Sequence, residues 1–328
     1  MIPLALTYFF SANSSSISNL PSMDSIRIYA SSISDASIDF DSYLTGIVLA
    51  SLPSGYEYET IKAQVVIART YALKNISTII QLKKPTLHKN QSETEMTRFS
   101  AEELALPYVD ISSYLMAKGN QNKMNYVSLV KKAVQDTKNQ VIVYKNELIT
   151  PLFFASSAGA TRNSTDLWDY APPYLKSVCS EHDIEAPNYL KISQFTCSDL
   201  IDLLNTAFKN HTLVASDYDY QVYDHLPITE ESFLDDVHIT KRDASGYVLT
   251  IQLGKVNVSG ESFANALSLN SSCFSIESFD SNIRIITNGS GHGLGFSQYG
   301  ANVLAKSDYD YMELLKYYYS DVQIKELK

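Results

Sequence analysis

The stretch that most constrains this chain is Thr60 to Asn75, TIKAQVVIARTYALKN, which contains neither Gly nor Pro. Ile61, Val65, Ala68 and Ala72 recur at three- and four-residue steps, so they share one face of a helix. Ala, Gln, Lys and Arg favour that state intrinsically, and Pro53-Ser54-Gly55 breaks the chain just before it. Upstream, Tyr43 to Leu52 reads as a short buried strand or helix. The polar residues Gln64, Arg69, Thr70 and Tyr71 crowd a helix otherwise suited to burial. Either they satisfy backbone groups inside a core or they line a site.

The remaining pattern mixes the two element types. A first strand is predicted at Ser25 to Tyr29, where polar and apolar residues alternate, and a helix at Tyr126 to Gln135. Two strands, Gln140 to Tyr144 and Leu148 to Phe154, should join at Lys145-Asn146. Another helix is expected at Asp199 to Lys209, and strands at Asp236 to Lys241 and Tyr247 to Leu253 around a Ser245-Gly246 turn. A strand at Ile283 to Thr287, a helix beginning near Ser297 and a final helix at Tyr311 to Tyr318 complete the set. Between Lys83 and Gln121 the sequence is polar and loop-rich, with a helical piece around Ala101 to Leu106, and Tyr218 to Thr229 is weakly patterned. Helices followed by hairpins give an α+β class, a mixed body of helices and antiparallel strands with an inserted second lobe. The boundaries read from the sequence are 1–22 for an apolar start and Ser/Asn-rich linker, 23–189 and 259–328 for a core in two parts, and 190–258 for the inserted lobe.

A chain of 328 residues with 45% hydrophobic and 19% charged residues can bury a substantial core and is not disordered. Its formal charge of −10 and the lack of a basic patch argue against a nucleic-acid surface or an anionic membrane as partner. Tyrosine is abundant, 23 against one Trp; such rings can present an apolar face beside a hydroxyl to sugars or peptides, or simply fill a core. Cys179, Cys197 and Cys273 are far apart and suggest neither a disulfide framework nor a zinc knuckle. The run Cys179, His182, Asp183 offers too few ligands for zinc, and no metal or cofactor is expected. The apolar run Ile2 to Phe10 is about half the length that crosses a bilayer and lacks the basic head of a signal peptide. It reads as an anchor remnant, an atypical export signal or a packed strand.

Three segments carry a family resemblance. IKAQVVIARTYAL at 61–73 is similar to an AxKAQAVAARTYA signature, FFASSAGATRNSTDLWDYAPPYLKSV at 153–178 to FFSTSGGxTENSEDVWxxxxPYLKSV, and GSGHGLGFSQYGA at 289–301 to GxGHGVGMSQYGA. In this order and spacing they resemble the SpoIID/LytB family of sporulation and cell-wall proteins, over about Ile26 to Ile324. SGESFANALSLNSSCFSI at 259–276 resembles a further segment, SGxxFRxxLGLxSxxF.

The resemblance implies a lytic transglycosylase that cleaves between N-acetylmuramic acid and N-acetylglucosamine in peptidoglycan. One carboxyl group would protonate the leaving oxygen and then take the proton of the muramic C6 hydroxyl as a 1,6-anhydro ring closes, so a single Glu with a raised pKa serves both steps. The family carries that Glu in a VxxEMP motif. Here the segment is VLASLP and the position is Ser51, whose hydroxyl cannot act as a general acid at ordinary pH. Two more polar positions differ: the Arg of FRxxLGL is Ala264, and the Glu of GGxTE is Arg162. The CxxxxHCQ metal motif of some members is replaced by DISSYLMAKG at 110–119.

The resemblance therefore implies a protein acting on peptidoglycan strands with its catalysis weakened or lost unless Glu57 or Glu59 substitutes; the alternatives are a non-catalytic glycan-binding protein that positions or activates a partner amidase, and a structural component of the engulfment machinery with a vestigial cleft. Its catalytic position is Ser51, and its cleft lining is Gln64, Arg69, Tyr71, Trp168, His292, Ser297, Gln298 and Tyr299. Trp168 either stacks on sugar or anchors its loop on the core. Gly289, Gly291, Gly293 and Gly295 let the backbone around His292 take positive φ angles. The implied partners are peptidoglycan strands and a cell-wall amidase of the engulfment machinery. The implied location is the envelope of a Gram-positive spore former, with membrane association through an N-terminal anchor not fully present here.

Overall fold

The computed structural model describes residues 20–29, 37–83, 97–117, 122–168, 171–208, 230–254 and 256–327. The chain is α+β and divides into two compact units: one contains Phe153–Gly300, the other the described residues up to Leu152 together with those from Ala301 onward. The lobe expected at 190–258 lies wholly within the first of these ranges. The apolar start and the segment Tyr218 to Thr229 lie outside the described residues.

The flanking unit begins with β1 (Arg27–Tyr29) and β2 (Ile38–Asp39), followed by α1 (Phe40–Ser51) and α2 (Tyr58–Lys83). The stretch before the Pro-Ser-Gly break is thus a helix. Its N-terminus is capped by Asp39, whose carboxylate accepts from the Ser42 N–H at 2.8 Å. After β3 (Arg98–Ser100) come three helices, α3 (Ala101–Leu104), α4 (Ile111–Met116) and α5 (Lys123–Asp136). β1 pairs antiparallel with β2 and parallel with β3.

The hairpin of β4 (Gln140–Tyr144) and β5 (Glu147–Leu148) turns at Lys145 and Asn146, both at positive φ, as a tight hairpin turn matching the strand twist requires. The second strand stops at Leu148, short of the predicted Phe154, because Pro151 has no N–H for a ladder. One core unites Tyr43, Ile47, Ile61, Val65, Ala68, Ala72, Val127, Val130, Val141 and Val143.

The middle unit opens with β6 (Phe153–Phe154) and continues through β7 (Leu190–Phe195), α6 (Cys197–Phe208), α7 (Glu230–Asp236), β8 (Val237–Arg242), β9 (Val248–Leu253), β10 (Val256–Ser259), α8 (Gly260–Ala266), β11 (Phe274–Phe279), β12 (Asn282–Asn288) and β13 (Phe296–Ser297). Two antiparallel three-stranded sheets, ordered β10-β9-β8 and β11-β12-β7, share a core of Leu200, Leu204, Phe233, Val248, Ile251, Phe263, Phe274, Ile283 and Ile285. The two-residue strands β6 and β13 pair in parallel, Phe296 with Phe153 and Ser297 with Phe154.

The chain leaves this unit within α9 (Gln298–Lys306) and ends with α10 (Tyr311–Tyr318) and β14 (Gln323–Glu326). β14 pairs antiparallel with β4, and Asp310 caps α10 reciprocally with Glu313. Among the described residues no helix is long and apolar enough to cross a membrane, and the three cysteines are free thiols.

Candidate functional site

The expected site residues fall in both units. In the flanking unit, Ser51 is the last residue of α1 and is half-buried. Its hydroxyl donates to the Ile47 carbonyl one turn back, at 2.7 Å, a local bond typical of serine in a helix. Of the two nearby carboxylates, Glu59 accepts from the Tyr311 N–H at 3.0 Å and pairs with Lys62 at 2.6 Å, so it caps α10. Glu57 is exposed.

The signature polar residues of α2 turn inward. Arg69 is 1% exposed, and its guanidinium donates to the carbonyls of Thr137 at 2.7 Å and Val134 at 3.1 Å. These belong to the last turn of α5 and its cap, where a helix has free carbonyls and partial negative charge. Burial lowers the Arg69 pKa to about 10, which leaves it charged at neutral pH. Thr70 accepts from the Ile142 N–H at 2.9 Å and so ties α2 to β4. Gln64 is fully buried, while Tyr71 is half-buried, with its phenol pKa raised by burial.

The middle unit brings the second and third signature segments side by side. Ser156 and Ser290 exchange backbone hydrogen bonds, Ser156 N–H to Ser290 O at 3.1 Å and the reverse at 2.8 Å. The Arg162 N–H donates to the Gly293 carbonyl at 2.7 Å, and the Tyr299 N–H to the Ala155 carbonyl at 3.0 Å. All four loop glycines have positive φ. At Gly293 a Cβ would in addition lie 2.6 Å from the Tyr247 ring and 2.9 Å from Arg162 Cδ, so no larger residue fits there.

His292 is half-buried and sits 5.5 Å from the Phe154 ring, centroid to centroid. Its Nδ1 accepts from the Leu294 N–H at 3.1 Å, and the ring donates to the Phe153 carbonyl. Desolvation, aided by the Arg162 charge, lowers its pKa to about 3. The imidazole is therefore neutral at physiological pH, with both nitrogens engaged, and is suited to fixing the loop more than to moving protons.

Arg162 is fully buried and lies under this loop. Its Nε donates to Asp243 at 2.6 Å, its Nη1 to Glu261 and, at 3.3 Å, to the His292 carbonyl. The guanidinium lies 4.6 Å from the Tyr247 ring centroid. Among the described residues Nη2 is buried without a hydrogen-bond partner. Ser297 and Gln298 are buried, and Trp168 and Tyr299 half-buried.

Sequence reasoning missed two features. In the sequence Arg162 marks only a departure from the family's glutamate, yet a buried arginine demands counter-charges, and Asp243 and Glu261 supply them. In the sequence Asp183 stands out only as part of a Cys-His-Asp run, yet it is fully buried and accepts from the Ser157 N–H and the Ser297 hydroxyl, each at 2.7 Å. Among the described residues no three His, Cys, Asp or Glu side chains gather as a metal site.

Comparison with known proteins agrees with the motifs. Residues 33–144 match the family described as SpoIID: Stage II sporulation protein. The chain is 28% identical over 291 residues to stage II sporulation protein D of Bacillus subtilis (strain 168), across 88% of this chain and 75% of the relative. It is 27% identical over 303 residues to the protein of the same name from Bacillus amyloliquefaciens, across 92% and 79%. It is also 24% identical over 308 residues to the amidase enhancer of Bacillus subtilis (strain 168), across 84% of this chain and 39% of that longer relative. The chain thus matches the SpoIID family model at residues 33–144 and is similar to stage II sporulation proteins along most of its length.

Proposed function

We propose that this chain is an exported cell-wall protein of a spore-forming bacterium that binds peptidoglycan glycan strands without cleaving them, and that it acts by positioning or activating a partner amidase. The observation that carries the loss of cleavage is the hydroxyl of Ser51, bonded back into its own helix at the position where the resemblance expects an acid. A serine hydroxyl cannot donate a proton to a glycosidic oxygen near neutrality and then recover one from a sugar hydroxyl. The neighbouring Glu59 is held by Lys62 and the start of α10. The likeness to an amidase enhancer supports a role exercised through a second enzyme.

In this reading each unit contributes its own contact surface, the flanking unit through Tyr71 and the middle unit through Trp168, His292 and Tyr299, while Arg69 and Ser297 hold the fold within their respective units. Aromatic faces beside polar edges suit sugar rings. The test incubates purified protein with glycan strands stripped of stem peptides and assays for 1,6-anhydromuramic ends. The expected result is retention of the protein on the strands with no anhydro product, and generation of product by Ser51→Glu. Product from the unaltered protein would overturn the non-catalytic reading, and a Glu57→Gln variant would then ask whether that exposed carboxylate is the substitute. Failure to be retained on the strands would overturn the glycan assignment itself.

A further inference from the structure

Asp183 is a buried carboxylate to which no cation is paired among the described residues. It lies in the short 3₁₀ turn Glu181–Glu185 and is fully inaccessible. Oδ2 accepts from the Ser157 N–H at 2.7 Å, and Oδ1 from the Ser297 hydroxyl at 2.7 Å. The hydroxyls of Ser157 and Ser180 donate to the same group. Ser157 belongs to the second signature segment and Ser297 to the third, just before α9. One carboxylate thus ties together two segments that lie 140 positions apart. Burying a carboxylate among neutral groups is costly, and a neutral residue could fill the space, so its retention at this junction calls for an explanation.

We propose that Asp183 is a positioning residue for the glycan-contacting surface of the middle unit, its ionised carboxylate clamping the Ser157 loop to the Ser297 turn and so fixing the backbone that presents His292 and Tyr299. The ionised form accepts every donor around it through charge-assisted bonds, which are stronger than neutral ones. When the carboxyl is protonated, it brings a donor of its own, so one serine hydroxyl must turn away from it or become an acceptor. The clamp is tightest in the charged state. This inference rests on the glycan-binding reading for its functional consequence, but not for the clamp itself.

The two consequences of ionisation have opposite signs. Burial raises the Asp183 pKa above the ordinary carboxylate value, and the serine bonds offset this only in part. Because the folded state then holds the proton more tightly than the unfolded state, stability is greatest at low pH and falls as pH rises through the raised pKa. Clamping, and with it binding, increases over the same interval. The groups facing Asp183 from other elements are the phenols of Tyr189 and Tyr247. Both have pKa values raised by burial, so neither titrates in the acid range. Glu181, His182 and Glu185 share its own turn.

The experiment compares the unaltered chain with Asp183→Asn. In this variant the amide oxygen can accept from the Ser157 N–H while the amide nitrogen donates to serine hydroxyls, so the site stays satisfied and the fold is retained. Retention on stripped glycan strands, urea unfolding and amide hydrogen exchange at Ser157 and residues 293–299 are followed from mildly acid to neutral pH. For the unaltered chain, binding and amide protection should rise severalfold with pH while stability falls; for Asp183→Asn all three should lack that step. Subtracting the variant removes every contribution that the two proteins share. Identical pH profiles for the two proteins, or binding that falls together with stability as pH rises, would overturn the inference. If the unaltered chain binds no glycan at any pH, the functional reading fails, and the exchange data alone then decide the clamp: a pH step in protection that Asp183→Asn lacks supports it, and its absence refutes it.

Discussion

At the scale of single residues, the signature arginine of α2 shows how a motif can be structural. Arg69 satisfies two carbonyls at the C-terminal end of α5 from a position 1% exposed. Removing its charged donors strands those acceptors away from water. Each hydrogen bond to a charged group is worth about 1.5–3 kcal/mol, so Arg69→Met should destabilise the chain by roughly 3 kcal/mol or more, read from the shift in urea midpoint. Arg69→Lys should recover only part of this, because a point-like ammonium cannot span both carbonyls as a planar guanidinium does. A midpoint unchanged in Arg69→Met, with loss of glycan retention alone, would show that the side chain faces ligand instead. Neither partner of Arg69 could be read from the sequence, because both lie more than sixty positions downstream.

At the scale of elements, what could be read was what is locally encoded. The uninterrupted propensity of α2, the punctuation at Pro53-Ser54-Gly55 and the positive-φ pair Lys145-Asn146 each act within a few residues, and the structure follows them. The parallel pairing of β6 with β13 joins residues 143 positions apart in two-residue strands, too short for any alternation to mark them. The middle-unit loops are held by the buried Arg162, paired with the buried Asp243 and the part-exposed Glu261, partners that likewise have no local signature. The signature segments disclosed a likeness more readily than the geometry, and the side chains of Gln64, Arg69, Ser297 and Gln298 lie buried in the structure. Gly46 illustrates a constraint hidden in a good helix. A Cβ there would meet the Tyr108 ring and approach the Val109 carbonyl to 2.5 Å. Gly46→Ala would gain about 1 kcal/mol of helix propensity in an open context, but pushing the 108–109 backbone off α1 should cost about 1–3 kcal/mol. The expected result is lower stability by denaturant unfolding; a stabilised variant would mean that this segment moves aside freely.

At the scale of the whole molecule, the order of the chain and the order of the cores differ. The flanking unit is discontinuous: residues after Gly300 supply α10 and β14, whose pairing with β4 runs from Gln323 with Val143 to Glu326 with Gln140. Leu314, Leu315, Tyr318 and Tyr319 from this C-terminal part are fully buried, and Tyr319 donates its hydroxyl to the Leu152 carbonyl at 2.8 Å. The middle unit, by contrast, holds its own core and both of its three-stranded sheets between Phe153 and Gly300. A chain cut after Gly300 therefore loses the edge of the β4 sheet and four large buried side chains, each worth about 1.5–3 kcal/mol of burial. That loss, about 6–12 kcal/mol, is comparable with the whole net stability of a domain, about 5–15 kcal/mol. The flanking unit of the truncated chain should lose protection from proteolysis and hydrogen exchange throughout α1, α2 and α5. Amides of β9 and β12 should stay protected, because none of their ladder partners has been removed. Loss of protection in both units together would show that the middle unit depends on the flanking one to fold, and retained protection in α2 would show that α10 and β14 are dispensable to the core they complete.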